Sequence, residues 1–153
     1  MDFSHPSLQQ SQRLKTVHAL FEAYNLCDPE KILETLDDAL GTHQVLPYSL
    51  GMPVKTTDEF RPHATRVCSA FEEMKMDPYA IYEDPVQNAV IVHTKMTGKM
   101  AADKGGAPWS NECVMMMKFN EDGTKIIEHR EFVDSAKAKV MQELNKRKDG
   151  GAS

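Results

Sequence analysis

Cysteine is scarce: the chain has three, Cys27, Cys68 and Cys113. Their number is odd, their spacing is wide, and no Cys-x-x-Cys pair occurs. This excludes a disulfide scaffold and any zinc site of recognisable spacing, and it reads as free thiols in a reducing, cytoplasmic setting. Long apolar runs are missing as well. No stretch reaches 18 apolar residues and the N-terminus lacks the apolar centre of a signal peptide, so no membrane partner is expected. Positive charge is in deficit, with 18 Lys and Arg against 23 Asp and Glu and a formal charge of −5. That balance excludes nucleic acid or an anionic bilayer as the main partner. The one basic run, Lys146-Arg147-Lys148, closes the last predicted helix, where cations suit the helix dipole. There is no nucleophile elbow, phosphate loop or dinucleotide fingerprint. Internal repeats and low-complexity tracts are also lacking.

At 153 residues the chain is one domain, long enough to build a core without staples. An ordered core is expected over about residues 8–146, with polar or Gly-rich ends that fray. The first half reads as helical. Leu14, Val17, Phe21 and Tyr24 recur at helical spacing, which predicts a helix from about Ser7 to Asn25. Asp28 and Pro29 then cap and open a second helix with Ile32, Leu33 and Leu36 inward. Phe60, Ala64, Val67, Phe71 and Met74 mark a third, which starts near Arg61 or, kinked at Pro62, from Thr57. Between the second and third lies a short strand, Thr42 to Leu46, and a Pro/Gly loop.

The second half reads as β. Strands are predicted over "DPYAIYE", "AVIVHTKMTG", "WSNECVMMMKFN" and "TKIIEHREFV", the last two joined by an Asp122-Gly123 hairpin. Asp134 or Ser135 caps a final helix with Ala136, Val140 and Leu144 inward. Three helices, an antiparallel meander and a closing helix make an α+β fold, a curved sheet wrapped around the three N-terminal helices.

The hairpin register sets Phe119 opposite Lys125, Met115 opposite His129 and Cys113 opposite Glu131. Because side chains alternate, one face collects Trp109, Asn111, Cys113, Met115 and Met117 with Ile127, His129, Glu131 and Val133. That face is apolar enough to line the interior, yet it carries an amide, an imidazole and a carboxylate. Two readings are open: a satisfied polar pair in the core, or the floor of a small-molecule pocket whose Glu131 is an acid/base group with a raised pKa. His43, Gln44 and Tyr48, on or after the first strand, could overhang such a pocket. His93 shares parity with Lys95 and is assigned to the outer face. There Val114, Met116 and Phe132 could form a dimer patch. His18 and His63 read as surface or packing residues. His129-x-Glu131 could hold a metal, but no third ligand has recognisable spacing, so no metal is expected.

The motifs "THQVLPYSLGMP", "SNECVMMMKFNEDGTKI" and "EFVDS" resemble the small fungal members of the nuclear transport factor 2-like superfamily, in its SnoaL-like branch. The likeness spans roughly Leu8 to Leu144. It implies a cone-shaped fold like that of ketosteroid isomerase, with a pocket between helices and concave sheet. It further implies a homodimer, no cofactor, and a polycyclic or aromatic small-molecule substrate. Members of that branch isomerise, cyclise, rearrange or dehydrate polyketides, meroterpenoids and indole alkaloids. The resemblance assigns Glu131 as acid/base residue, with His129 orienting it or sharing its proton. Asn111, Trp109, Cys113, Met115, His43 and Tyr48 would contact substrate. An isomerase or cyclase is expected, with a scytalone dehydratase-like lyase or a non-catalytic binding protein as alternatives.

Overall fold

The structure is a computed structural model and describes residues 10–149. Helix α1 covers Gln12–Asn25 and buries Val17, Leu20, Phe21 and Tyr24. It starts later than helical spacing suggests, because the Ser11 hydroxyl accepts the Leu14 amide and caps it there. Residues 7–9, where the start was expected, lie outside the described residues, as does most of each terminus. Helix α2, Pro29–Glu34, has Asp28 as its cap and Pro29 at its first position, as expected. Strand β1, Thr42–Leu46, matches its predicted bounds and leads through a 3-10 turn, Tyr48–Leu50, to the two-residue strand β2, Lys55–Thr56. Helix α3, Thr57–Ala70, takes the earlier of the two starts. The Thr56 hydroxyl accepts the Glu59 amide, and Pro62 sits inside the helix.

Strands β3, Phe71–Asp84, and β4, Ala89–Met100, form a long hairpin. Phe71 and Met74 therefore belong to a strand, not to the third helix. A register shift between Phe71 and Glu73 inserts one residue, so Phe71 and Met74 both face inward although three apart. A bulge thus imitates helical spacing. Strands β5, Pro108–Phe119, and β6, Ile126–Val133, follow, and helix α4 covers Ser135–Asp149. In α4, Ala136 and Val140 are exposed, while Ala138, Met141 and Gln142 turn toward the sheet. The inward stripe is displaced from the predicted one because the concave sheet meets α4 only along its cavity side.

The six strands run in the order β2-β1-β6-β5-β4-β3. All neighbours are antiparallel except β1 and β6, which are parallel. The expected all-antiparallel sheet is corrected at that one seam, since periodicity carries no strand direction. The β5–β6 register also differs. Met115 faces Glu131, Met117 faces His129 and Cys113 faces Val133, two residues away from the expected pairing. One residue of the difference lies in the turn, where Phe119 pairs Ile126. The other is an irregularity at Lys118/Phe119 that leaves Ile127 as the extra residue. Ile126 is consequently buried, although simple alternation put it outside. The parity of His129, Glu131 and Val133 is unaffected.

Helices α1 to α3 fill the concave side, where Leu20, Ile32, Leu36 and Phe60 meet Val90, Val92, Met117 and Ile126. On the convex side His93 bonds Glu112 at 2.6 Å, as its outer assignment requires, and Phe132 and Ile91 are exposed. Among the described residues no helix is long and apolar enough to cross a membrane.

One tight contact holds β1 in place. Gly41 donates to the Asp37 carbonyl at 2.9 Å, and the Thr57 hydroxyl donates to the same oxygen at 2.6 Å. A Cβ on Gly41 would lie 2.3 Å from Thr57 Oγ1 and 2.4 Å from Asp37 O. Gly41→Ala is expected to destabilise the fold by about 1–3 kcal/mol, as overpacking does, read from the shift of the urea unfolding midpoint.

Candidate active site

Between the helices and the concave sheet lies a cavity of about 650 Å³, within the range of small-molecule sites. Strand β5 contributes Trp109, Asn111, Cys113 and Met115, and β6 contributes Glu131. Strand β1 supplies His43, α1 supplies Tyr24, and α3 supplies Phe60, His63 and Ala64. Five of the six expected contact residues therefore line one space. Tyr48 does not. It sits in the 3-10 turn, 73% exposed, and Leu50 and Met52 reach the cavity in its place. The turn rotates its ring outward as the chain leaves β1. His129 is also not in the wall. It is fully buried directly behind Glu131.

Glu131 is the hub. Its Oε1 receives the Tyr24 hydroxyl at 3.4 Å and faces His43 Nε2 at 3.3 Å and His129 Nε2 at 3.5 Å. All three contacts fall on that one oxygen, and Glu131, its side chain 16% exposed, also lines the cavity. His43 is held in turn, stacked on Phe60 with ring centroids 4.0 Å apart and set edge-on to His129 at 5.0 Å. Among the described residues three buried polar side-chain atoms have no hydrogen-bond partner, and two of them, Asn111 Oδ1 and His129 Nε2, belong to this neighbourhood. The His129 contact satisfies the distance of an ion pair but not the alignment of a hydrogen bond.

The electrostatics differ from the expected raised carboxyl. Burial pushes the Glu131 pKa up, but the hydrogen bond from His43 and the fields of His43, His129 and His63 outweigh it and hold the group at about 2. Glu131 is thus ionised at neutral pH. Burial lowers His129 to about 4, so its imidazole is neutral there. Burial, with the nearby His43 and Lys55, likewise brings His63 to about 4. Burial and the Glu131 charge raise Cys113, which stays a thiol and is no nucleophile. Tyr24 is raised by burial and by Glu131, so it remains a proton donor.

Two residues of the site lie outside the sequence candidates. Tyr24 belongs to the core, as its apolar stripe implies, and its hydroxyl also reaches Glu131, since a buried tyrosine usually finds a partner for that group. His63 packs beside Phe60 and also lines the cavity, a place its spacing from Phe60 and Val67 on the inward stripe of α3 is consistent with. His43, His129 and Glu131 bring potential ligand atoms within 4.8 Å of one another, a grouping that sequence spacing does not show because His43 comes from β1.

A concave-sheet cavity with a buried carboxylate at its floor invites comparison, and a SnoaL-like domain model matches residues 17–129. The chain belongs to the SnoaL-like family, within the nuclear transport factor 2-like superfamily. Monooxygenase dmxR10 of Cryptosporiopsis is 26% identical over 79% of either chain. Among solved structures, the BvnE pinacolase of Penicillium brevicompactum superposes with a TM-score of 0.78 at 18% identity, over 91% of this chain and 97% of its own. AusH of Aspergillus nidulans gives 0.73 at 21%, over 81% and 84%. A Catenulispora acidiphila protein with a ketosteroid isomerase-like fold gives 0.62 at 13%, over 76% and 83%. The α+β fold is therefore that of the superfamily, and its structural neighbours include fungal natural-product biosynthesis proteins. The matched segment ends two residues before Glu131.

The site makes stability depend on pH with a definite sign. Unfolded, the His129 and His63 imidazoles take up protons near 6.5, but folded only near 4. Between those values the unfolded chain holds more protons, so acidification removes stability by up to about 1.4 kcal/mol per pH unit and group. Glu131, held at about 2 rather than its usual 4.5, continues the same trend lower down. Urea titrations between pH 7 and pH 4 should therefore show falling stability. In His129→Gln that slope should drop by about half, and an unchanged slope would place the titration on other groups.

Proposed function

We propose that this protein is an isomerase or cyclase that moves a proton on a ketone or enol intermediate of a polyketide- or terpenoid-derived natural product in a fungal pathway, without a cofactor. The observation that carries this reading is Glu131 itself, held at Oε1 by Tyr24 and His43 and lining a cavity whose walls are largely apolar. An ionised carboxylate so placed takes a proton from carbon beside a carbonyl. As the carbonyl oxygen gathers charge it needs a donor. Asn111 lines the same cavity, and its side-chain NH2 is the donor we assign to that oxygen. Returning the proton to a different carbon completes an isomerisation. Attack of the enolate carbon on an internal electrophile closes a ring. His129, behind the carboxylate, and His43, beside it, hold its orientation and are neutral or polar partners when it is protonated in mid-reaction. The likeness to a pinacolase supports a reaction that rearranges bonds inside one molecule.

Glu131→Gln keeps the shape and removes the base. Conversion of the intermediate that accumulates in a strain lacking this gene should fall about 10²- to 10⁴-fold, while binding of that intermediate stays within a few-fold of wild type. Undiminished conversion would end the acid/base assignment. Conversion in deuterated water should place deuterium at the carbon that regains the proton.

A second reading rests on the donor set itself. His43 Nε2 and His129 Nε2 lie 3.3 and 3.5 Å from the same Glu131 oxygen, close to the roughly 3.4 Å that separates ligands around a tetrahedral metal with bonds of about 2.1 Å. Two histidines and one carboxylate are a donor set used for oxygen chemistry, and the Cryptosporiopsis relative is named a monooxygenase. Oxygenation would consume dioxygen, put one oxygen atom into product and release the other as water at the expense of a two-electron reductant. Dialysis against a chelator separates the readings. Turnover that survives it supports acid/base chemistry, and turnover lost and restored by ferrous but not by zinc ion supports the oxygenating metal.

A further inference from the structure

The charges that line the cavity are not those of the chain. The chain carries −5, but the cavity wall contributes Arg66, Lys104 and Lys146 against a single carboxylate, Glu131. The three cations come from three elements: α3, the connection between β4 and β5, and α4. They are no accident of one helix stripe. Arg66 and Lys146 are exposed, whereas Glu131 sits between the buried His43 and His129, so the cations mark the solvent end and the carboxylate the floor. The positive end extends beyond the wall. Lys137 lies over the Trp109 ring, 5.7 Å from its centroid, and Lys55 is close enough to Arg66 for the two to repel. Among the described acidic side chains, Glu59 lies beside Lys55 and Glu143 lies 3.8 Å from Lys146.

We infer that the cavity takes a substrate with an anionic group, such as an aromatic or polycyclic carboxylic acid, bound with that group at the cationic mouth and its reacting carbon toward Glu131. The inference deepens the proposed function by naming a substrate class, and it holds for the binding step whichever chemistry follows. Both ends favour one orientation. The mouth attracts the anion, and an ionised Glu131 repels it from the floor. Apolar walls of Met96, Met115, Met141 and Trp109 suit the ring system between. A neutral substrate of the same shape would lack the attraction and enter either way round.

Two matched dyes test this without knowledge of the natural substrate. 8-Anilinonaphthalene-1-sulfonate and N-phenyl-1-naphthylamine share a ring system and differ by the sulfonate. Energy transfer from Trp109, the one tryptophan, reports binding. The sulfonate should bind about tenfold more tightly at low salt, and the advantage should shrink at high salt. Arg66→Glu and Lys146→Glu should each weaken it about three- to tenfold and leave the neutral dye unchanged. Ala138→Phe, which fills the cavity, should weaken both. Equal affinities, equal losses for both dyes on charge reversal, or sulfonate binding indifferent to Ala138→Phe would each overturn the inference. Glu131→Gln should bind the sulfonate at least as well as wild type. A failure of the base assignment therefore leaves this result intact.

Discussion

Parallel pairing of β1 with β6 is the constraint on which the site depends. It sets His43 beside His129 and Val45 beside Glu131. Two adjacent parallel strands need a long connection. Here that connection is α3 and the whole meander from β3 to β5. The pairing therefore encloses the concave face and assembles the hub in one step. It also explains the Gly41 turn, because β1 must enter close to α3 to lie flat against β6. Without β1 the carboxylate would keep only Tyr24 and the poorly aligned His129 around it.

A carboxylate among methionines, a phenylalanine and two imidazoles is expensive to bury, and the fold offsets this unevenly. Two donors, Tyr24 and His43, converge on Oε1, and His129 Nε2 stands 3.5 Å from it without the alignment of a hydrogen bond. Asn111 Oδ1, on a residue of the cavity wall, and His129 Nε2, behind that wall, have no hydrogen-bond partner among the described residues. Native interiors leave few such atoms, so two beside one cavity mark it as a functional candidate. The apolar sheet core around Val90, Val92 and Met117 shows no such gaps and accounts for rigidity instead.

Most of the fold was legible because caps and alternation speak locally. Asp28-Pro29, the bounds of β1, and the grouping of His129, Glu131 and Val133 on one face needed nothing beyond neighbouring residues. The misreadings share a physical origin. Bulges near Phe71 and Ile127 place residues three apart on the same side of a strand, which turns a strand into an apparent helix and moves Ile126 inward. The direction of β1, the arrival of His43 at Glu131 and the use of Tyr24 and His63 are long-range facts. No periodicity encodes them. The Glu131 pKa was misjudged for the same reason. Burial of a carboxyl was visible in the pattern, but two of the imidazoles that outweigh burial, His43 and His63, come from other elements.

That low pKa constrains how the site could work. Under the proposed acid/base reading, a base held near pKa 2 is weak toward a carbon acid while water and its hydrogen-bond donors stabilise its charge. A ring system entering the cavity strips water from the carboxylate but leaves the donors on Oε1 in place. The charge then loses part of its solvation and none of its orientation, so proton affinity rises when substrate is bound. A carboxylate kept ionised and strengthened only by its substrate avoids idle protonation at neutral pH. Substrate size therefore bears on basicity as well as on affinity. A small ligand that leaves the carboxylate wet would bind the walls and still react slowly.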